Sequence, residues 1–306
     1  MTAAVRRFAM FAALVVAVAL PFAVGPYGHF ILASALVYAL VALSLNILIG
    51  MAGQISIGHA GFWALGAYGA GLAVAKVGAP FWVGVLAGGA LAALAGAIVA
   101  LPALRVQGHY LAIATLAFAL FIQQALFEWE GLTGGRQGLF VPRPTIAGFE
   151  FKEDFEYYFV LLAVVIAAIW LTGNLRRSLT GRSLAALRMS PIAAQSVGVP
   201  RSRFIVLAFT LSALLTGVSG ALYAHLIGHL STEAFSLTVS LSFLSMAVIG
   251  GLDSRAGAVL GALFLALAPE LLRELKDAQM VIYGLLLILC MRFLPGGLAS
   301  LLRPRT

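Results

Sequence analysis

Apolar residues in this chain come in long blocks, not in the alternation of a half-buried strand. The blocks fall at about 8–24, 30–50, 54–75, 81–102, 109–127, 157–173, 203–224, 236–250, 257–269 and 279–294. Most approach the roughly 20 residues that cover about 30 Å of hydrocarbon. Every backbone polar group in lipid needs an internal partner, so the spans are predicted helical, and nothing reads as the alternating strands of a barrel. The eighth and ninth blocks are short for full spans and are expected to form a broken or re-entrant pair buried among the other helices. The expected architecture is an all-α, polytopic transmembrane helical bundle with about 8–10 membrane segments, a single domain over residues 1–306.

Composition removes the soluble alternative. The chain is 62% hydrophobic and 10% charged, against roughly 45–50% and roughly 25% for a soluble domain. Its net charge of +8 does not form an aromatic-interleaved patch, so no nucleic-acid partner is expected and membrane lipid is. The charges instead set a topology, because Lys and Arg concentrate in cytoplasmic loops. With the N-terminus inside, the residues Arg6, Arg7, Arg105, Arg176, Arg177, Arg182, Arg188, Arg201, Arg203, Arg255, Arg292, Arg303 and Arg305 fall inside. Lys76, Arg136, Arg143, Lys152, Arg273 and Lys276 fall outside, with every acidic residue except Asp253. Both termini are then cytoplasmic. The first block follows Arg6 and Arg7 like a signal peptide, but it runs past Pro21 to Val24 without a small-residue cleavage site, so a retained helix is expected. Cys290 is the single cysteine, which excludes a disulfide framework or a thiolate metal site within the chain.

Two loops are long enough to have work of their own. The outer one, about 128–157, is acidic and carries Gly134, Gly135, Pro142 and Pro144; the inner one, about 174–202, is basic. Within the inner loop, Arg182 to Met189 reads as a short amphipathic helix with Leu184, Leu187 and Ala194 on an apolar face. Gly181 and Ser183 suit its start, Pro191 interrupts it, and Gly198 with Pro200 ends the loop. The residues alone fit a membrane-surface helix or a docking element for a cytoplasmic partner.

A resemblance then covers most of the chain. The inner-loop run Leu179-Thr-Gly181-Arg182-Ser-Leu-Ala-Ala-Leu-Arg188, followed by Pro191-Ile-Ala-Ala-Gln195-Ser-Val-Gly198, resembles the cytoplasmic loop of branched-chain amino acid ABC transporter permeases, the LivM-like subunits. Gly53-Gln54-Ile-Ser56-Ile-Gly58-His59-Ala-Gly61-Phe62 with Gly66-Ala-Tyr68 is similar to the family's third-span motif, and Leu132-Thr-Gly134-Gly135 with Gly138-Leu139 to its outer-loop motif. Gly250-Gly251-Leu252 with Gly257 and Gly261 matches its late glycine motif. The resemblance implies an ABC importer permease fold in the bacterial inner membrane. Its implied partners are a second, LivH-like permease, two cytoplasmic ATP-binding subunits and a periplasmic substrate-binding protein. No cofactor is expected on this chain, with ATP and Mg on the partners, and no Gly-x-x-x-x-Gly-Lys-Ser/Thr loop is present. The substrate implied is a branched-chain or related aliphatic amino acid, with urea or a short amide as the alternative within the same architecture.

Carried onto this sequence, the resemblance makes Gly181, Arg182, Ala185, Ala186, Leu187, Arg188, Pro191, Ala194 and Gly198 the coupling element to an ATPase, with Arg182 and Arg188 facing its acidic or polar groups. Family members often carry acidic residues after the second arginine, where this chain has Met189 and Ser190. Candidates for a translocation path are Gln54, Ser56, Gly58, His59, Phe62, Thr115, Gly250 and Gly251. Polar groups in an apolar span are costly unless they face a cavity or another helix, so the third-span motif reads equally as path lining or interhelical bonding, and His59 more as a helix contact. Gln123, Gln124, Ser240, Ser242 and Ser245 rank behind. His225 and His229 have metal-ligand spacing but no third ligand beyond Glu233, and read as interfacial polar residues. No metal site and no catalytic residue are expected. A secondary transporter or channel would need ionisable groups at mid-membrane, and the acidic residues lie almost wholly in loops, Asp253 and Glu270 being nearest to exceptions.

Overall fold

The computed structural model describes residues 12–106, 108–146, 149–252 and 254–271, together with 282, 284–285, 288–289, 292–293 and 296–302. Asp253, Cys290 and much of the tenth apolar block lie outside the described residues. The helices are α1 (Ala12–Ala23), α2 (Pro26–Leu45, continued by a π-helical stretch Asn46–Met51), α3 (His59–Ala75), α4 (Phe81–Ala103) and α5 (His109–Glu128). After the outer loop come α6 (Asp154–Arg177), the inner-loop pair α7 (Leu179–Met189) and α8 (Pro191–Ser196), then α9 (Arg201–Ile227), α10 (Leu237–Gly250) and α11 (Arg255–Leu271). Among the described residues, five helices are long and apolar enough to cross a membrane: α2 with its extension, α4, α5, α6 and α9.

The helix ends follow local chemistry. α6 opens on Asp154 and Glu156 and closes on Arg176 and Arg177, each charge at the end of the helix dipole that favours it. The third apolar block departs from expectation: its helix begins at His59, and residues 52–58 are irregular. Gly53, at φ +67°, takes the left-handed turn that ends α2, the usual role of glycine past a helix C-terminus. α10 has 14 residues, about 21 Å at 1.5 Å per residue and short of the roughly 30 Å core, and α11 is described over Arg255–Leu271. They form a helical hairpin turning near Gly251, whose φ is +105°.

α3, α4 and α9 pack with backbones nearly touching. A methyl group at Gly66 would overlap the Gly217 carbonyl, one at Gly88 the Gly66 carbonyl, and one at Gly220 the Trp63 carbonyl. Small residues thereby supply the contact that hydrophobicity cannot supply between helices in lipid. α2 runs through the middle and packs on α6, α9 and α11. Leu40, Leu43, Trp63, Tyr68 and Phe243 are among the side chains of the core. Leu94, Ile98, Ile113, Phe121 and Trp170 point outward, as helices bathed in lipid require.

Among the described residues, short strand pairs at the outer loop are foreign to an all-helical reading. Leu139–Phe140 (β1) pairs antiparallel with His229–Leu230 (β4), and Thr145–Ile146 (β2) with Phe149–Glu150 (β3). These two-residue ladders are too short to show as alternation in the sequence.

Candidate functional site

The start of α3 draws polar groups from α5, α9 and α10. A helix leaves its first N–H groups without intrahelical partners, and the Gly58 cap has no side chain to offer. Other helices provide instead. Ile57 N–H donates to Thr115 Oγ1 of α5 at 3.0 Å, and Ala60 N–H to Ser240 Oγ of α10 at 3.1 Å, while Gly58 N–H reaches Ser56 Oγ at 3.4 Å. A side chain at Gly58 would overlap the Thr115 carbonyl. Three of the predicted path residues, Ser56, Gly58 and Thr115, thus serve the cap of a discontinuous helix.

His59 is 1% exposed, and both its nitrogens are engaged. Nε2 lies 2.9 Å from Ser212 Oγ and Nδ1 lies 3.0 Å from Ser56 Oγ. The Ser212 hydroxyl donates its one proton to the Ser44 carbonyl at 2.9 Å, so His59 donates through Nε2–H, and Nδ1 accepts from Ser56. The chain continues through Ser44 Oγ and Thr216 Oγ1, 2.7 Å apart, and Thr216 donates to the Ser212 carbonyl. Trp63 Nε1–H donates to Ser219 Oγ at 3.3 Å, and Ser219 donates to the Val37 carbonyl of α2. Phe62 is fully buried, edge-on to His59 and against Phe118. Gln54 is half-buried and folds back on the Ala52 carbonyl, and Ile55 is exposed. Sequence reasoning missed Ser44, Ser212, Thr216 and Ser219. The last three stand at i, i+4 and i+7 of one helix, a polar stripe that marks a face.

The inner-loop helices are built for display. α7 starts three residues before the expected Arg182, because the Ser178 side chain caps it by accepting from Gly181 N–H at 3.3 Å. Ser190 repeats the device for α8, accepting from Ala193 N–H with Pro191 in the first turn. Gly181, Leu184, Leu187 and Ala194 face inward. Ala186 and Pro191 are half-buried, Arg182 and Ala185 are exposed, and Gly198 turns the chain out of α8 at φ +87°. Met189, Ile192 and Val197, each more than three-quarters exposed, form an apolar patch at the tip of the kind that marks an interaction surface. Arg188 turns back from this surface. Its guanidinium donates to the Gly50 carbonyl, and its aliphatic stem lies over Gly53, placing a cation at the C-terminal end of α2. The loop is thereby tied to the chain break that leads to the polar seam.

Gly250 and Gly251 lie elsewhere, at the hairpin turn. Gly250 and Gly257 face each other with no room for a side chain on either, and Asn46 Nδ2 of the α2 extension donates to the Ser254 carbonyl at 2.9 Å. At the opposite end of the bundle His225 Nδ1 meets the Pro142 carbonyl at 3.0 Å and His229 Nε2 the Gln137 carbonyl at 2.9 Å. Carbonyls only accept, so each imidazole donates, and the two histidines clasp the outer loop. Thr133, of the outer-loop motif, donates to the Leu126 carbonyl at 2.6 Å. Gln123 Nε2 reaches the Thr232 carbonyl at 3.4 Å, and Gln124 Nε2 reaches Glu128. Ser245 bonds its own helix.

Against known proteins, a family model described as "Branched-chain amino acid transport system / permease component" matches residues 27–291. The high-affinity branched-chain amino acid transport system permease protein LivM of Escherichia coli is 33% identical, over 98% of this chain and 76% of its own length. LivM of Salmonella typhimurium is 32% identical over the same shares. The permease protein LivH of Escherichia coli is 26% identical over 85% of this chain and 90% of its own length. No solved structure matches the chain significantly. With its apolar helices, its polar seam and a family match running nearly end to end, the chain is a multi-pass membrane protein that belongs to the permease components of branched-chain amino acid transport systems.

Proposed function

We propose that this chain is the LivM-like half of a permease pair that imports branched-chain amino acids, driven by ATPase subunits that dock on α7 and α8. The observation that carries the reading is the alignment with LivM over 98% of the chain. A LivH-like chain is the expected second half, two cytoplasmic ATP-binding subunits with their ATP and Mg supply energy, and a periplasmic binding protein delivers substrate. The exposed Met189, Ile192 and Val197 support docking at the tip of the loop, where an ATPase groove would cover apolar surface. Arg182 faces that partner. Arg188, through the Gly50 carbonyl, passes its movement to the break between α2 and α3.

The excess of arginine at the α7–α8 end supports a cytoplasmic position for that end, with both termini on the same side of the bacterial inner membrane. The test is reconstitution of this chain with its partner permease, ATPases and binding protein in liposomes, followed by uptake of labelled leucine against labelled urea. Leucine uptake should require ATP and the binding protein, and Arg188→Ala should lower it five- to tenfold without loss of assembly. Urea uptake would change the substrate and keep the mechanism. Uptake by this chain without an ATPase would overturn the reading.

A further inference from the structure

Away from the polar seam, α2, α10 and α11 leave a cleft of about 360 Å³ between them, within the roughly 300–1,000 Å³ of small-molecule sites. One face of each helix lines it. α2 contributes Tyr27, Ser34 and Tyr38, spaced at i, i+7 and i+11, and α10 contributes Ser242, Phe243 and Met246. From α11 come Leu265, Pro269 and Glu270. The polar groups are distributed with purpose. Glu270 stands at the mouth, where Tyr27 Oη donates to its carboxylate at 2.7 Å. Further in, Ser34, Tyr38 and Ser242 carry hydroxyls without a hydrogen-bond partner among the described residues. Such groups in an apolar span are costly unless something meets them.

We infer that this cleft is a transport subsite for a zwitterionic aliphatic amino acid, with the α-ammonium received at Glu270, the carboxylate by the inner hydroxyls and the branched side chain against Phe243, Met246 and Leu265. The inference rests on the import function proposed above and adds where the substrate lies. It also explains why the seam around His59, with every donor and acceptor engaged, need not touch substrate. The chemistry is that of a primary ammonium beside an acyl or alkyl group, which an aminolipid headgroup shares, and the two sources separate by experiment.

Two variants of the complete transport complex decide the matter. Glu270→Gln should lower leucine uptake at least tenfold while ATP hydrolysis stimulated by the binding protein stays within twofold of the wild type. In a Cys290→Ser background, Ser242→Cys should react with a charged methanethiosulfonate, and leucine-loaded binding protein should slow that reaction at least fivefold. If Glu270→Gln fails to assemble, the labelling result decides alone. Wild-type uptake with unchanged Glu270→Gln uptake, or labelling indifferent to leucine, overturns the subsite and leaves the import function standing. Protection by phosphatidylethanolamine vesicles and not by leucine assigns the cleft to lipid and also overturns it. A wild-type complex that moves no branched-chain amino acid removes the function and the subsite together.

Discussion

The bundle joins two kinds of helix contact. On one side α3, α4 and α9 meet backbone to backbone, with Gly66, Gly88, Gly217 and Gly220 at the crossings and the His59–Ser212–Ser44–Thr216 chain closing the inner end. On the other, α10 and α11 touch backbone to backbone near their turn, at Gly250, Gly257 and Gly261, and farther from it they and α2 line an open cleft with larger side chains. Contacts between backbones allow almost no sliding, because close-packed surfaces have few alternative registers. Contacts around a cleft leave room for a helix to shift by replacing one set of neighbours with another. The rigid crossings mark the first side as a frame, the cleft gives the second side room to shift, and Arg188, bonded at the end of α2, ties the α7–α8 loop to the helix that belongs to both.

Substitutions that add volume at the frame should have the largest effect. Gly220→Leu puts a branched side chain where even a methyl group overlaps the Trp63 carbonyl. Overpacking of this kind costs about 3 kcal/mol or more when backbone has to move. The expected outcome is loss of monodisperse protein in detergent gel filtration, with Gly131→Ala, at a position with open space around it, behaving like the wild type. A well-folded Gly220→Leu protein would break the distinction between the frame and the side with room to shift.

Much of the frame was legible in the sequence, because glycine and alanine at three- and four-residue spacing announce close helix approach without any partner being named. The inner-loop helix was legible for a similar reason, since Leu184, Leu187 and the prolines carry a purely local pattern. The polar seam was legible only in part. Ser56, His59 and Thr115 stood out as polar residues in apolar runs, but Ser44 and Thr216 bond across 172 positions, and a serine in a span gives no sign of which helix it faces. The place of the break at 52–58 was not legible, because it depends on Thr115 and Ser240 arriving from distant helices to cap α3. The cleft was invisible, since a void is a property of three faces together.

Next in size comes removal of hydroxyls from the seam. Ser212→Ala leaves both the His59 Nε2–H and the Ser44 carbonyl without their partner, and an unsatisfied buried group costs about 1–3 kcal/mol. Thermal unfolding in detergent should show a clear fall in Tm, and an unchanged Tm would mean that the seam does not hold the frame. Ser178→Ala should cost about 1 kcal/mol through loss of the α7 cap. That loss is local, so it should appear as faster hydrogen exchange in α7 with little change elsewhere.

The smallest effect is expected from the same serine-to-alanine change on the cleft side, and this pairing tests the comparison most directly. Ser242 lies in a helix of similar apolar character, is half-buried, and has no hydrogen-bond partner among the described residues. Removing a hydroxyl that satisfies nothing strands no donor or acceptor, so Ser242→Ala should alter stability by less than about 0.5 kcal/mol. The chemistry deleted is identical to that of Ser212→Ala; only the surroundings differ. A Tm for Ser242→Ala as depressed as that for Ser212→Ala would mean that the cleft is closed and bonded in the working protein, and the two sides of the bundle would then be one frame.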